Sequence, residues 1–307
     1  MAYSIDDKLK IAVTSRALFQ LEYENKIYEE EGLVAYEQYQ LDHEDQPLKP
    51  GAAFSLVKAL LSLNELADLK HKVEVIITSR NSMNNSIRVF NSLKLLELDI
   101  SRGIFTGGVS MAPYLKALGM DLFLTANPQD AQAAIDVNIP AATLLTDNIE
   151  KYDFSSPIKE IRIAFDGDAV LFSAESEQIY KDYGLDAFTE NEIKNANKPL
   201  QEGPFAKFLK TISQIQNELK DDSAIKIRTA LITARNAPSH ERVVRTLRAW
   251  NVRIDEAFFL GGIPKLEILK AFGAHIFFDD QTVYTVPASG VVPSGTVPYR
   301  TGGPMDY

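Results

Sequence analysis

Two aspartates separated by a single glycine, Asp166-Gly167-Asp168, follow the apolar run Ile161-Arg-Ile-Ala-Phe165 and precede a second one, Ala169-Val-Leu-Phe172. The first run has the composition of a strand buried in a parallel sheet. Such a strand delivers its next few residues to the carboxyl edge of the sheet, where open α/β folds bind ligands. Gly167 lets the backbone turn tightly between the carboxylates. Two acids at i and i+2 in that turn can face one pocket; unpartnered, they would repel and one would keep its proton. Mg²⁺, which takes oxygen ligands, removes the conflict. One carboxylate can then attack phosphorus while the other moves a proton. Taken alone, Asp-x-Asp is also what an acidic turn at a strand end looks like.

Later segments extend the set. Thr233-Ala-Arg235 ends the run Thr229-Ala-Leu-Ile232, Lys265 closes Gly261-Gly-Ile-Pro-Lys265 ahead of a helix, and Asp279-Asp280 ends His275-Ile-Phe-Phe278. In a parallel sheet these strand ends converge on one edge. Phosphoryl transfer needs this inventory: a nucleophile, a proton donor, Mg²⁺ ligands and cations for the equatorial oxygens.

Composition narrows the alternatives. The chain has 307 residues, 45% apolar and 24% charged, enough for two domains or one large one. Its net charge of -10 disfavours nucleic acid as a partner, though a small anion can still bind through a metal and local cations. There is no cysteine, which excludes thiol catalysis and zinc–thiolate sites. His43, His71, His240 and His275 are scattered, with no metal-ligand spacing. No signal peptide and no membrane-spanning run is seen, so a cytoplasmic protein without a membrane partner is expected.

The elements that position these residues alternate strand and helix. Strands are expected at 8–13, 73–77, 103–106, 121–124, 141–145, 161–165, 229–232 and 275–278. Helices are expected at 53–69, 84–95, 111–118 and 128–137. Residues 149–157, with Ser155-Ser156-Pro157, read as a linker. Then the pattern starts again. Ile11-Ala12 matches Ile163-Ala164, and Ile27-Tyr28, Gly32-Leu33, Pro47-Leu48 and Gly51 have counterparts at the same spacing of 152. Ile77-Thr-Ser-Arg80-Asn81 matches Ile232-Thr-Ala-Arg235-Asn236 at 155, and Leu115-Lys116-Ala-Leu-Gly119 matches Leu269-Lys270-Ala-Phe-Gly273 at 154. Shared α/β composition does not hold an offset this constant, so the expected architecture is two duplicated, doubly wound parallel-sheet modules, 1–148 and 158–307. What only one half carries is then function rather than scaffold. Asp166 and Asp168 face Thr14 and Arg16, Lys265 faces Met111, and Asp279-Asp280 faces Thr125-Ala126.

The ordered set Asp166-x-Asp168, Thr233, Lys265, Asp279-Asp280 resembles the four motifs of the haloacid-dehalogenase-like phosphatases. Longer segments resemble the cytosolic 5′-nucleotidase type I family: Phe165-Asp-Gly-Asp-Ala-Val-Leu-Phe-Ser173, Glu175-Ser-Glu177, Thr233-Ala-Arg235, Phe277-Phe-Asp-Asp280, Ser15-Arg-Ala-Leu-Phe19 and Lys26-Ile-Tyr-Glu-Glu-Glu-Gly32. Animal members read Ser-Asp-Glu-Ser-Glu where this chain has Ser173-Ala174-Glu175-Ser176-Glu177. The resemblance covers about residues 8–285 and leaves the tail unmatched. It implies a Rossmann-like fold and Mg²⁺-dependent hydrolysis of nucleoside 5′-monophosphates such as AMP or deoxynucleotides. It makes Asp166 the nucleophile of an aspartyl-phosphate, and Asp168 the acid and then base. Thr233 and the Ala234 backbone would bind phosphate, and Lys265 would pair with the nucleophile and the phosphoryl group. Asp279, Asp166 and the Asp168 carbonyl would hold Mg²⁺, with Asp280 a ligand or its neighbour.

Residues 173–225 fall where such phosphatases insert a cap. Tyr180, Tyr183, Phe188, Phe205 and Phe208 are there to stack on a base or to fill core. Arg242, Arg245 and Arg248 read as a solvated helix face that could also steer an anion. Trp250 reads as packing, and residues 301–307 as a fraying end. In the first half, Arg16 and Arg80 with nearby hydroxyls could bind a regulatory nucleotide, lend cations to a shared cleft, or simply pair with acids near residues 22–31. Two other functions stay open, a phosphatase for a sugar phosphate and a non-catalytic nucleotide sensor; so does a homo-oligomer.

Overall fold

A computed structural model describes residues 4–156, 158–303 and 305. The apolar runs lie side by side in one sheet of ten strands: β1 (Leu9–Thr14), β2 (Val73–Ser79), β3 (Arg102–Phe105), β4 (Leu122–Thr125), β5 (Ala141–Leu144), β6 (Glu160–Phe165), β7 (Lys226–Thr233), β8 (Glu256–Phe259), β9 (Ile276–Asp279) and β10 (Ser294–Thr296). Their order in space is β3-β2-β1-β4-β5-β10-β9-β6-β7-β8. Strands β1 to β5 run parallel to one another, and so do β6 to β10. The two sets meet antiparallel at β5 and β10. The carboxyl edge of the first set therefore lies at the opposite end of the sheet from that of the second.

Each set is built the same way around its first strand. β1 lies between β2 and β4, and β6 between β7 and β9. These central strands carry near-continuous apolar residues because helices cover both faces: Ile11, Ala12 and Val13, like Ile163, Ala164 and Phe165, have no exposed surface. Hydrogen bonds recur at the offsets of the sequence repeat. Lys10 N–H donates to Asp121 as Arg162 N–H donates to His275 Nδ1. Leu48 N–H donates to Ser92 Oγ as Leu200 N–H donates to Thr246 Oγ1. Arg88 Nε donates to the Gln46 carbonyl as Arg242 Nε donates to that of Lys198.

The helix Ala206–Glu218 places Phe208, Leu209, Ile212 and Ile215 in the main core. Phe205 packs on Phe278 with ring centroids 4.7 Å apart. Burying each such ring contributes about 1.5–3 kcal/mol. This helix thus covers the sheet instead of forming a cap. Within 173–225 the exposed aromatics Tyr180 and Tyr183 belong to the helix Glu175–Lys194, which bends at Gly184.

Several expectations change. The segment read as a linker is packed: Ile149 is buried, Tyr152 Oη donates to the Ser289 carbonyl at 2.6 Å, and Phe154 meets Phe54 edge-on. Pro157 lies outside the described residues. β8 and β10 have no counterpart among the expected strands. β10 is Ser-Gly-Thr, a poor strand former placed by its neighbours. Its Gly295 is required, since a Cβ there would stand 2.9 Å from the Ala142 Cβ on β5. The tail does not fray at once: the Thr301 N–H donates to Asp136 at 2.9 Å and Met305 is buried. Pro304, Asp306 and Tyr307 lie outside the described residues.

Candidate active site

The carboxyl edge of β6, β7 and β9 gathers the acids and bases singled out in the sequence. Asp166 follows β6, and its N–H donates to the Phe278 carbonyl of β9, which fixes where the side chain starts. Residues Gly167–Leu171 form a tight turn, with Ala169 at φ 60°. Lys265, just ahead of the helix Leu266–Phe272, extends its ammonium between Asp166 Oδ1 and Asp279 Oδ2, 2.6 Å from each. Asp279 Oδ1 also accepts the Gln281 N–H, and Asp280 accepts the Tyr299 hydroxyl. The Tyr284 ring lies 4.3 Å from the Lys265 nitrogen.

Asp166, Asp279 and Asp280 are buried, and each offers an oxygen within 4.8 Å of the others. Three carboxylates against one ammonium leave a formal deficit that a dication would fill, and the donors are the hard oxygens that Mg²⁺ takes. Burial above all pushes Asp166 well above the carboxylate range, Lys265 opposing. Burial, then Asp279, pushes Asp280 up to about 7. Burial would lower the Lys265 ammonium, but Asp166 and Asp279 outweigh it and hold it charged. Without a metal Asp166 and Asp280 thus tend to retain protons, and a metal would displace them.

Thr233 ends β7 beside the turn: a Cβ on Gly167 would come within 3.4 Å of its Oγ1. Ala234, the next residue, is exposed. Asp168 does not join the three metal-competent acids. Its two oxygens accept a fork from Arg235, Nε and Nη2 each at 2.7 Å. Arg235 reaches on to Glu192 at 2.5 Å, and Glu192 also accepts from Ser176 and Arg242 at 2.9 Å. Burial raises Glu192, but Arg235, Ser176 and Arg242 more than offset it and hold it below its ordinary value.

Arg242 is therefore a buried partner of Glu192, not part of a solvated face; Arg245 and Arg248 are exposed. Trp250 packs against Phe172 as expected. Arg235 stood in a motif without a role of its own, and Glu192 and Tyr299 were not singled out from the sequence. For Glu192 a signal existed, since the matching first-half position is Gln40. Tyr299 stands in a tail that no motif covers.

Arg16 and Arg80 lie at the other end of the sheet. They line a cleft of about 460 Å³ with Thr14, Ser79, Thr125 and Asn127. Arg16 pairs with Glu22 and Arg80 with Asp130. The opposed direction of the two strand sets rules out a cleft shared with Asp166, and both guanidinium groups already have acids.

A 5′-nucleotidase family model matches residues 1–303. Human cytosolic 5′-nucleotidase 1B is 41% identical over 282 residues, 89% of this chain and 46% of that protein. The chain thus spans about half the length of that relative. One solved structure, that of a Pnkp1/Rnl/Hen1 complex, aligns over 96% of this chain and 97% of its own at 12% identity and a TM-score of 0.31, too weak a likeness to bear on the fold. No helix among the described residues is long and apolar enough to cross a membrane. The match over nearly the whole chain agrees with the type I resemblance carried by the motifs, and the chain belongs to the 5′-nucleotidase family.

Proposed function

We propose that this chain hydrolyses nucleoside 5′-monophosphates, AMP or deoxynucleotides among them, to nucleoside and phosphate. The observation that carries the reading is the Lys265 ammonium held between Asp166 and Asp279 at the edge where Thr233 ends its strand. Asp166 attacks phosphorus, so a bond forms from its carboxylate as the bond to the 5′-oxygen breaks. Asp168 gives that oxygen a proton and then takes one from the water that hydrolyses the aspartyl-phosphate. Thr233 and the Ala234 backbone bind phosphate oxygens, and Lys265 offsets their charge. Mg²⁺, held by Asp166, Asp279 and Asp280 with the Asp168 carbonyl, would supply further positive charge there.

The helix Glu175–Lys194 acts as the small cap. A cavity of about 500 Å³ adjoins the site through Ala169 and Tyr299, and its walls come from both halves, Pro140 and Lys207 among them. That is room for a nucleoside. The two halves are read as duplicated modules, 1–148 and 158–307, the second catalytic; the common strand order and the hydrogen bonds at matched positions support this.

Phosphate release over nucleotides and sugar phosphates, with Mg²⁺ and with a chelator, tests the proposal. Mg²⁺-dependent release from nucleoside 5′-monophosphates is expected. Release from sugar phosphates alone would replace the substrate, and release from neither would favour a nucleotide sensor.

A further inference from the structure

We propose that Arg235 is a positioning residue: clamped from behind by Glu192, it aims the Asp168 carboxylate at the leaving-group oxygen. This rests on the reading of Asp168 as the acid. The fork of Arg235 takes both oxygens of Asp168 at 2.7 Å, which fixes the plane of the carboxylate as well as its position. Its remaining nitrogen is tied to Glu192, and the Phe188 ring lies 5.0 Å from the guanidinium. Arg235 and Glu192 side chains are 2% and 0% exposed. Buried ion pairs of this kind are weak devices for stability, since apolar residues fill the same space as well or better. A role in orientation accounts for keeping them.

The first half serves as an internal control. Its outer arginine, Arg88, keeps the contacts of Arg242, bonding the Gln46 carbonyl and Gln40, and adds one to Glu24. That part of the network is common scaffold. The inner part is different. Arg16 stands where Asp168 would be and Gln40 where Glu192 would be, and Arg80, the counterpart of Arg235, turns away to Asp130. The clamp is absent where the acid is absent.

Phenyl phosphate and p-nitrophenyl phosphate share a shape but differ in leaving group, and only the first needs an acid. In Arg235→Lys, which keeps the charge and loses the fork, kcat/KM for phenyl phosphate should fall roughly 10- to 100-fold, within the scale of acid catalysis. For p-nitrophenyl phosphate it should fall less than about threefold. Glu192→Gln keeps the shape and should show the same split, and it carries the test if Arg235→Lys does not fold, as judged by thermal melting. An equal fall on both esters in the folded variants means a merely structural role and overturns the inference. Asp168→Asn is the reference. If it splits the esters while Arg235→Lys and Glu192→Gln do not, the positioning role alone fails. If it does not split them, the acid role fails and takes the inference with it.

Discussion

The two ends of the sheet offer the same strand geometry with opposite chemistry. At one end, β6 and β9 lead into three buried acids around a lysine; at the other, β1 and β4 lead into hydroxyls, and Arg16 and Arg80 line an open cleft. The scaffold beneath is shared down to individual hydrogen bonds, such as those of Arg88 and Arg242. What differs is charge at strand ends and whether it is buried. In the second half the ionic partners converge on one point from separate strands. In the first, each arginine pairs with its own acid, Arg16 with Glu22 and Arg80 with Asp130. A common frame thus carries either a buried cluster of acids around a lysine or arginines paired along a cleft, depending on a handful of residues.

Exchanging those residues tests the contrast. Asp166→Thr, which installs the counterpart of Thr14, should lower nucleotide turnover by at least about 10⁴-fold, as expected for loss of a nucleophile. Circular dichroism should stay unchanged. Persisting phosphate release would place the nucleophile elsewhere.

Lys265→Met installs the counterpart of Met111 and leaves buried acids uncompensated. Removing one partner of such a cluster costs roughly 3–5 kcal/mol. Denaturant unfolding at pH 8 should show that loss with a chelator present and a clearly smaller one with Mg²⁺. A loss independent of Mg²⁺ would detach the three acids from a metal.

The smallest effect concerns His275, which accepts the Arg162 N–H where Asp121 accepts that of Lys10. Burial, then Arg162, keeps the His275 imidazole below its usual value. As pH falls below about 6.5 the unfolded chain takes the proton more readily, so stability should decline until the folded-state value is passed. His275→Asp keeps an acceptor and should flatten this part of the stability profile. An unaltered acid slope would assign it to other groups.

Much of the site was legible because its residues end apolar strands, and because the repeat shows Asp166, Asp168, Lys265 and Asp279 to be missing from the other half. The opposed direction of the halves was not legible. It depends on the pairing of β10 with β5, and Ser294-Gly-Thr296 has no strand character of its own. Glu192 reads as one more charge on a polar helix, and only the fold brings it to Arg235, 43 positions away. The partners of Arg80 were hidden in the same way: Asp130 lies 50 residues further on, so an ion pair and an anion site look alike in the sequence.

The position of β10 bears on how the chain is made. It comes last of the ten strands in chain order, yet it occupies the middle of the sheet. While the polypeptide leaves the ribosome, both sets of strands can assemble before residue 294 appears, but they cannot join. Until then β5 and β9 each present an unpaired edge, of the kind through which nascent chains associate wrongly. Three residues, one of them a glycine that tolerates no side chain, end that exposure.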